Sequence, residues 1–328
     1  MVVNQIVELS AVLDSDHFQA IFSEVYNRVD YFNGHDDKYI DTSLMEKGIT
    51  VIYRDSRYKK KISLLVNIFL VVDDTSDTNE LIQKLNKRIS KCFGYKYNLN
   101  DFTLSGMNLV SDIDVDNREK TYAYLKVLKR IGKVKGFSPV SDECFDKKNS
   151  FCLSGNSNGI DFLIYDLESV VMGQYKNVDK NRKKLCNQVR GVLRAEVRLT
   201  KPKAIRAYTD ADDTSDQIEN LIRNSINIFM DTFARIVPFG DFYKKGTAID
   251  IIRREVKDSV MRRRMLRLLA LIPEKRSLYL AQKAMNCRNI EKVMEFFAQI
   301  NLSPVTISKR YDAEWLKSLY AYFTDDGF

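Results

Sequence analysis

Leu193, Ala195, Val197 and Leu199 alternate without a break with Arg194, Glu196 and Arg198. A period of two is that of an extended strand, whose successive side chains point to opposite faces, so this stretch reads as a strand with one apolar and one charged face. About thirty residues earlier, Phe162, Ile164 and Asp166 alternate with Leu163, Tyr165 and Leu167, which reads as a second strand with Tyr165 near its end and opposite Ile164 in facing. If the two strands are neighbours, a phenol, a carboxylate and two guanidinium groups share one surface. The stretch from 159 to 199 is therefore taken as the part of the chain around which the rest is arranged.

The chain has 328 residues, enough for a large core and for two domains. Its formal charge is +8 and its pI about 9.0, a basic excess that favours a polyanionic partner such as nucleic acid. Cys92, Cys144, Cys152, Cys186 and Cys287 are odd in number, scattered and without a CxxC pair, which points to free thiols rather than a disulfide framework or a thiolate zinc site. His17 and His35 are the only histidines, so a histidine triad or a His-x-His metal site has no footing. The start carries no basic, apolar and cleavable leader, and the most apolar run, Ile62 to Val72, is too short for a bilayer; a cytoplasmic chain with no membrane partner is expected.

In order, the pattern predicts a strand over 2–13, a helix to about Arg28 capped by Ser15 or Asp16, a break at Asn33-Gly34, and a hairpin of 48–54 with 60–72. A helix over 79–92 with a cap in 75–77, a strand over 102–116, a helix over 118–131, a hairpin of 150–153 with 161–167, and a short helix opening at Lys180 follow. Beyond Pro202 the pattern turns helical, with segments 216–236, 248–271 and 276–286, the last two divided by Pro273. Ile290 to Ile300, a turn at Asn301-Leu302 and a helix over 303–311 have the length and capping of a helix-turn-helix. The expected fold class is α+β: a mainly antiparallel sheet with flanking helices over 1–205, then an all-helical domain over 206–328. No sequence repeat is visible.

Asp112, Asp114 and Asp116 recur at period two, so in an extended chain their carboxylates point one way and repel, a cost that Mg²⁺ or Mn²⁺ relieves. Each candidate has an ordinary reading beside this one. Tyr165 can be a packed strand tyrosine, Asp116 part of a helix cap, and Glu196 a cross-strand partner of Arg194 or Arg198. Together they match the needs of a phosphodiester transesterification. A tyrosine attacks phosphorus, carboxylates hold the metal, and arginines hold the remaining phosphate charge.

The pattern FLIYDLE followed by LRAEVRL resembles the strand motifs of rolling-circle replication initiators: the Rep proteins of Gram-positive plasmids with the related conjugative-element relaxases, and more loosely the gene II proteins of filamentous phages. The resemblance covers roughly residues 100–200. It implies a Rep/relaxase-like nuclease domain in which Tyr165 is the nicking nucleophile, followed by Asp166 and Glu168; Asp112 and Asp116 hold a metal; and Arg194 and Glu196 belong to the later arginine-x-glutamate strand. On this reading Glu196 completes the metal set, Arg198 joins Arg194 on phosphate, and Asp114 and Glu168 are lesser candidates for the metal or for orienting the tyrosine. Two positions depart from the family: Leu167 stands where its lysine follows the tyrosine pair, and no arginine precedes the first aspartate in LVSDIDVD.

In the C-terminal part Arg262, Arg263 and Arg264 are consecutive, and Thr306, Lys309 and Arg310 would be exposed on a recognition helix. A solvated helical face is the ordinary reading of the first group, and a closing bundle packed on Trp315 that of the second. The expected function is a sequence-specific, metal-dependent nicking and joining enzyme that starts rolling-circle replication of a plasmid, phage or mobile element through a 5′-phosphotyrosine. The alternative is a non-catalytic origin-binding or regulatory protein of the same fold. Expected partners are origin DNA, as a hairpin or single-stranded nick site, a host helicase, and a second copy of the chain. Cutting requires the phenol and the acids to meet over one open cleft; a buried phenol leaves DNA binding alone.

Overall fold

The computed structural model describes residues 3–32, 37–57, 59–72, 78–93, 97–140, 146–174 and 180–324. The expectations at Asn33-Gly34, His35, the 75–77 cap and Cys144 lie outside them. The fold is α+β and its sheet is antiparallel throughout.

The first half runs β1 (Asn4–Leu13), α1 (Ser15–Val25), β2 (Asp30–Phe32), β3 (Asp37–Asp41), β4 (Ile49–Asp55), β5 (Lys60–Asn67), α2 (Ile68–Val71) and α3 (Thr78–Phe93). The second runs β6 (Thr103–Asp114), α4 (Arg118–Lys129), β7 (Ser138–Pro139), β8 (Ser150–Gly155), β9 (Ile160–Asp166), α5 (Leu167–Gln174), α6 (Lys180–Gln188), β10 (Val192–Leu199), α7 (Pro202–Arg206) and α8 (Thr214–Arg223). The strands lie in the order β2-β3-β4-β5-β1-β6-β10-β9-β8-β7. Read outward from the centre, β1-β5-β4-β3-β2 and β6-β10-β9-β8-β7 are the same path taken twice. Each half has a central strand, a helix, outer strands laid down inward, and two helices after the strand beside the centre. The difference is the pair α5 and α6, inserted between β9 and β10 where the first half has a short turn.

The repeat holds at the level of register. β4 and β9 are both seven residues long, and laying one on the other puts Arg54 on Tyr165. Arg54 faces Lys61 as Tyr165 faces Arg194, and Lys61 faces Val12 as Arg194 faces Asp112. Carried along the central strands, Val7 falls on Met107, and these two pair across the β1–β6 junction, as a local two-fold relation requires.

One sheet face carries Val7, Leu9, Tyr53, Leu64, Leu109, Phe162 and Val197, all buried in the main core. The helices after β10 join that core: α9 (Ser225–Ile236), α10 (Lys245–Glu255), α11 (Ser259–Lys275), α12 (Leu278–Ala284) and α13 (Ile290–Gln299). Phe162 meets Phe233 with ring centroids 5.8 Å apart, Gln5 donates to Ser225 at 3.1 Å, and Thr214 donates to the Phe102 carbonyl at 2.6 Å. The units expected at 1–205 and 206–328 thus share one interior.

Several elements differ from the sequence reading. The run 62–72 leaves the strand at Asn67 and turns helical; 216–236 breaks at Asn224; and 248–271 breaks at 256–258, where the Asp258 side chain accepts from Val260 and Met261 N–H and starts α11. Pro273 lies inside α11 rather than dividing helices. The recognition helix expected over 303–311 does not form. Ser303 N–H donates to the Asp241 carbonyl at 2.8 Å and Ile307 N–H to that of Tyr243 at 2.9 Å, so the segment is an extended strap. Pro304 and the β-branched Val305, Thr306 and Ile307 suit extended backbone. Gly240, at φ 102, admits it closely: a Cβ there would lie 2.5 Å from Leu302 C.

Candidate functional site

β10 lies between β6 and β9, so Asp112, Arg194 and Tyr165 form one row across three strands on the face away from the main core. Directly opposed residues share a face, and Glu196 and Arg198 follow at steps of two along β10. The neighbouring strands and the shared surface expected from the two alternating stretches are both present.

Tyr165 donates its hydroxyl hydrogen to Glu196 Oε1 in a short hydrogen bond. Glu196 Oε2 accepts from Arg198 Nε at 2.8 Å, so both carboxylate oxygens are engaged. Arg194 Nε and one terminal nitrogen each donate to Asp112 at 2.7 Å, a bidentate pair. Burial, with the Glu196 charge and hydrogen bond after it, holds the Tyr165 phenol well above the ordinary tyrosine range. The hydrogen bond to Asp112 raises Arg194 likewise.

The open cleft expected around this phenol is not what the chain forms. Tyr165 is only 4% exposed and packs with Leu163, Leu167 and Cys152, against which Val170, Val189 and Val192 close. The apolar side chains of α5 and of the segment following α6 supply the physical reason, since they bury their own surface on the ring. Leu167, the position where the resembled family has lysine, is among them.

The remaining acids do not converge on the phenol. Asp114 is exposed at the end of β6 and accepts from Asp116 N–H at 2.8 Å. Asp116 has left the strand, with φ 77, and pairs with Lys120, so the period-two row contains Asp112 and Asp114 alone. The turn is set by Gly191, where a Cβ would sit 2.6 Å from Asn117 N; Asn117 itself caps α4. Glu168 is buried between Arg118 and Arg190, at 3.9 and 3.7 Å. Beside it, Asp166 is raised by burial and by the Glu168 charge.

Among the described residues no three His, Cys, Asp or Glu side chains are placed to hold a metal ion. Asp112 already spends both oxygens on Arg194 and Glu196 both of its own on Tyr165 and Arg198. The donor set as arranged does not fit Mg²⁺ or Mn²⁺.

No protein-family model matches this chain, and no curated protein sequence gives a significant match.

The C-terminal candidates are separate from this row. Arg263 is exposed and Arg262 and Arg264 half-buried on α11, which packs against α10, α12 and α13. Thr306 is 3% exposed within the strap and its carbonyl accepts from Arg130, so it is no surface contact. Lys309 and Arg310 are exposed after the strap. Tyr175, the next tyrosine in the chain after Tyr165, lies outside the described residues. Sequence reasoning passed over Arg54, Lys61 and Ser63, whose significance lies in the repeat of the sheet rather than in any motif. Among the described residues, no helix is long and apolar enough to cross a membrane.

Proposed function

We propose that this chain is a DNA-binding regulator of the replication-initiator class in which the enclosed Tyr165 does not cut; a nicking and rejoining enzyme is the second reading. The observation that carries the reading is the burial of Tyr165 under Leu167, Val170, Val189 and Val192, on a face that keeps the half-buried Arg194 and Arg198; the hydrogen-bonded series Tyr165, Glu196, Arg198 is what speaks for the second. A nucleophile, a base in contact with it, and a group orienting that base are the parts that covalent catalysis requires. In the cut that the second reading requires, the Tyr165 hydroxyl gives its proton to Glu196 as its oxygen bonds to phosphorus. The bond from phosphorus to the 3′ oxygen breaks, and that oxygen takes a proton from water. The 5′ phosphate stays on the tyrosine until a 3′ hydroxyl reverses the step. Arg194 and Arg198 offset charge on the phosphate oxygens.

A phenol enclosed by Leu167, Val170, Val189 and Val192 does not reach a phosphate, so cutting belongs to a form in which these side chains have parted from the ring. The enclosed phenol of the first reading needs no such rearrangement. Supercoiled DNA from the element encoding the protein separates the two. Relaxation with added Mn²⁺ that is lost in Tyr165→Phe supports cutting; binding without relaxation supports the regulator; and relaxation that persists in Tyr165→Phe removes the nucleophile.

A further inference from the structure

The repeat within the sheet gives the first half a counterpart to the tyrosine site. Register places Arg54 where the second half has Tyr165, Lys61 where it has Arg194, and Ser63 where it has Glu196. The side-chain contact is repeated as well: an Arg54 terminal nitrogen donates to Ser63 Oγ at 3.1 Å, along the diagonal that Tyr165 takes to Glu196. The nucleophile and its base are replaced by a cation and a hydroxyl. The aspartate that neutralises Arg194 is replaced by Val12.

This arrangement is costly for the chain alone. Arg54 and Lys61 stand directly opposite one another, and like charges so placed destabilise a sheet. Among the described residues no carboxylate makes an ion pair with Lys61. Burial lowers its pKa, the nearby Arg54 and Lys59 add to that, and Glu8, the acid on the same face, opposes them. Two half-buried cations on one face have the charge to attract phosphate oxygens, and the buried Ser63 hydroxyl, accepting from Arg54, fixes where that guanidinium points. The turn that follows Arg54 has no counterpart of α5 and α6, and it carries the exposed Arg57 and Lys59.

We infer that the first half is a structural copy of the second, and that Arg54, held by the buried Ser63, and Lys61 grip a backbone phosphate of the duplex that the Tyr165 half engages. The inference rests on the DNA reading above. Spacing favours duplex DNA. The two sites lie on one sheet face, three strand intervals apart across the sheet and five residues to either side of the Val7–Met107 pair along it. With about 4.8 Å between strands and about 3.4 Å per residue they stand roughly 35 Å apart. That is about one turn of a B-form duplex, the interval at which a backbone returns to the same side.

The test uses the full chain and a fluorescent 30-base-pair duplex of random sequence, titrated over a series of salt concentrations. Loss of one or two phosphate contacts lowers the slope of log affinity against log salt by about one to two. Arg54→Gln/Lys61→Gln and the single Lys61→Gln are expected to weaken binding and flatten that slope, while Lys61→Arg keeps it. Urea midpoints of each variant register any loss of fold. Steep salt dependence in the wild type with an unchanged slope in folded Lys61→Gln and in the double variant would overturn the inference and leave the DNA reading intact. No salt-dependent binding by the wild type would remove the DNA reading, and this inference with it.

Discussion

Arg54 stands on β4 at the place that Tyr165 holds on β9, and each reaches diagonally to the next strand, Arg54 to Ser63 and Tyr165 to Glu196. One backbone plan thus carries two chemistries. The half with the phenol also carries the inserted α5 and α6, and Leu167 and Val170 of α5 with Val189 after α6 close on it.

The Tyr165–Glu196 contact is buried and charge-assisted, so Tyr165→Phe should lower stability by about 1.5–3 kcal/mol, read from urea unfolding at neutral pH. A larger part of the loss comes from leaving Glu196 without its donor than from the missing hydroxyl. Glu196→Gln, which accepts the same hydrogen bond without charge, should cost less than Glu196→Ala.

Alkaline titration reports on the same contact. The folded chain holds the Tyr165 proton above the ordinary tyrosine value of 10.0, while the unfolded chain releases it there. Stability from this group is therefore complete below pH 10 and lost as pH rises above it, at up to about 1.4 kcal/mol per pH unit. Urea midpoints measured from pH 9 to 11 should fall less steeply in Tyr165→Phe than in the wild type. The slope should not vanish, because burial raises Tyr53, Tyr124 and Tyr320 in the same direction.

Asp112 and Arg194 are each about a third exposed, so their bidentate pair is worth little to the fold. A double-mutant cycle with Asp112→Asn and Arg194→Gln should give a coupling of about 1 kcal/mol or less. Asp112→Asn frees Arg194 for phosphate and should tighten binding to the 30-base-pair duplex, whereas Arg194→Gln should weaken it.

Phe233 packs on Phe162 across the division expected at 205. Phe233→Ala should cost about 3–5 kcal/mol and lower one common unfolding transition followed by circular dichroism and by tyrosine fluorescence. Residues 1–205 expressed alone should expose the core face of the sheet and fail to give a cooperative transition.

Much of this fold was legible because alternation is strict where a sheet has one buried face: β9, β10 and the hairpin of β4 with β5 follow from it. The edge strand β2 and its neighbour β3 were not, since Asp30–Phe32 and Asp37–Asp41 are too short to show a period. The helix breaks at Asn224 and at 256–258 were hidden by apolar spacing that runs through them. The Ser-Pro pair at 303–304 signals a helix start, yet Val305 to Ile307 went into an extended strap because Asp241 and Tyr243 offered carbonyls to pair with. At the site, period two correctly placed Tyr165, Arg194, Glu196 and Asp112 on one face. It overreached at Asp116, where Gly191 draws the chain out of the strand, and it carried no information about what covers the phenol. The repeat was hidden because the matching positions carry different side chains, and only pairing order and register reveal it.

The central claim is that the chain binds DNA while Tyr165 stays enclosed and unjoined to it. It is tested most directly by incubating the protein with a random-sequence single-stranded DNA pool and Mg²⁺ or Mn²⁺, then denaturing, digesting and weighing the peptides. The account predicts tightly bound DNA with no covalent product. A nucleotide-bearing peptide that contains Tyr165 and is absent in Tyr165→Phe would contradict it.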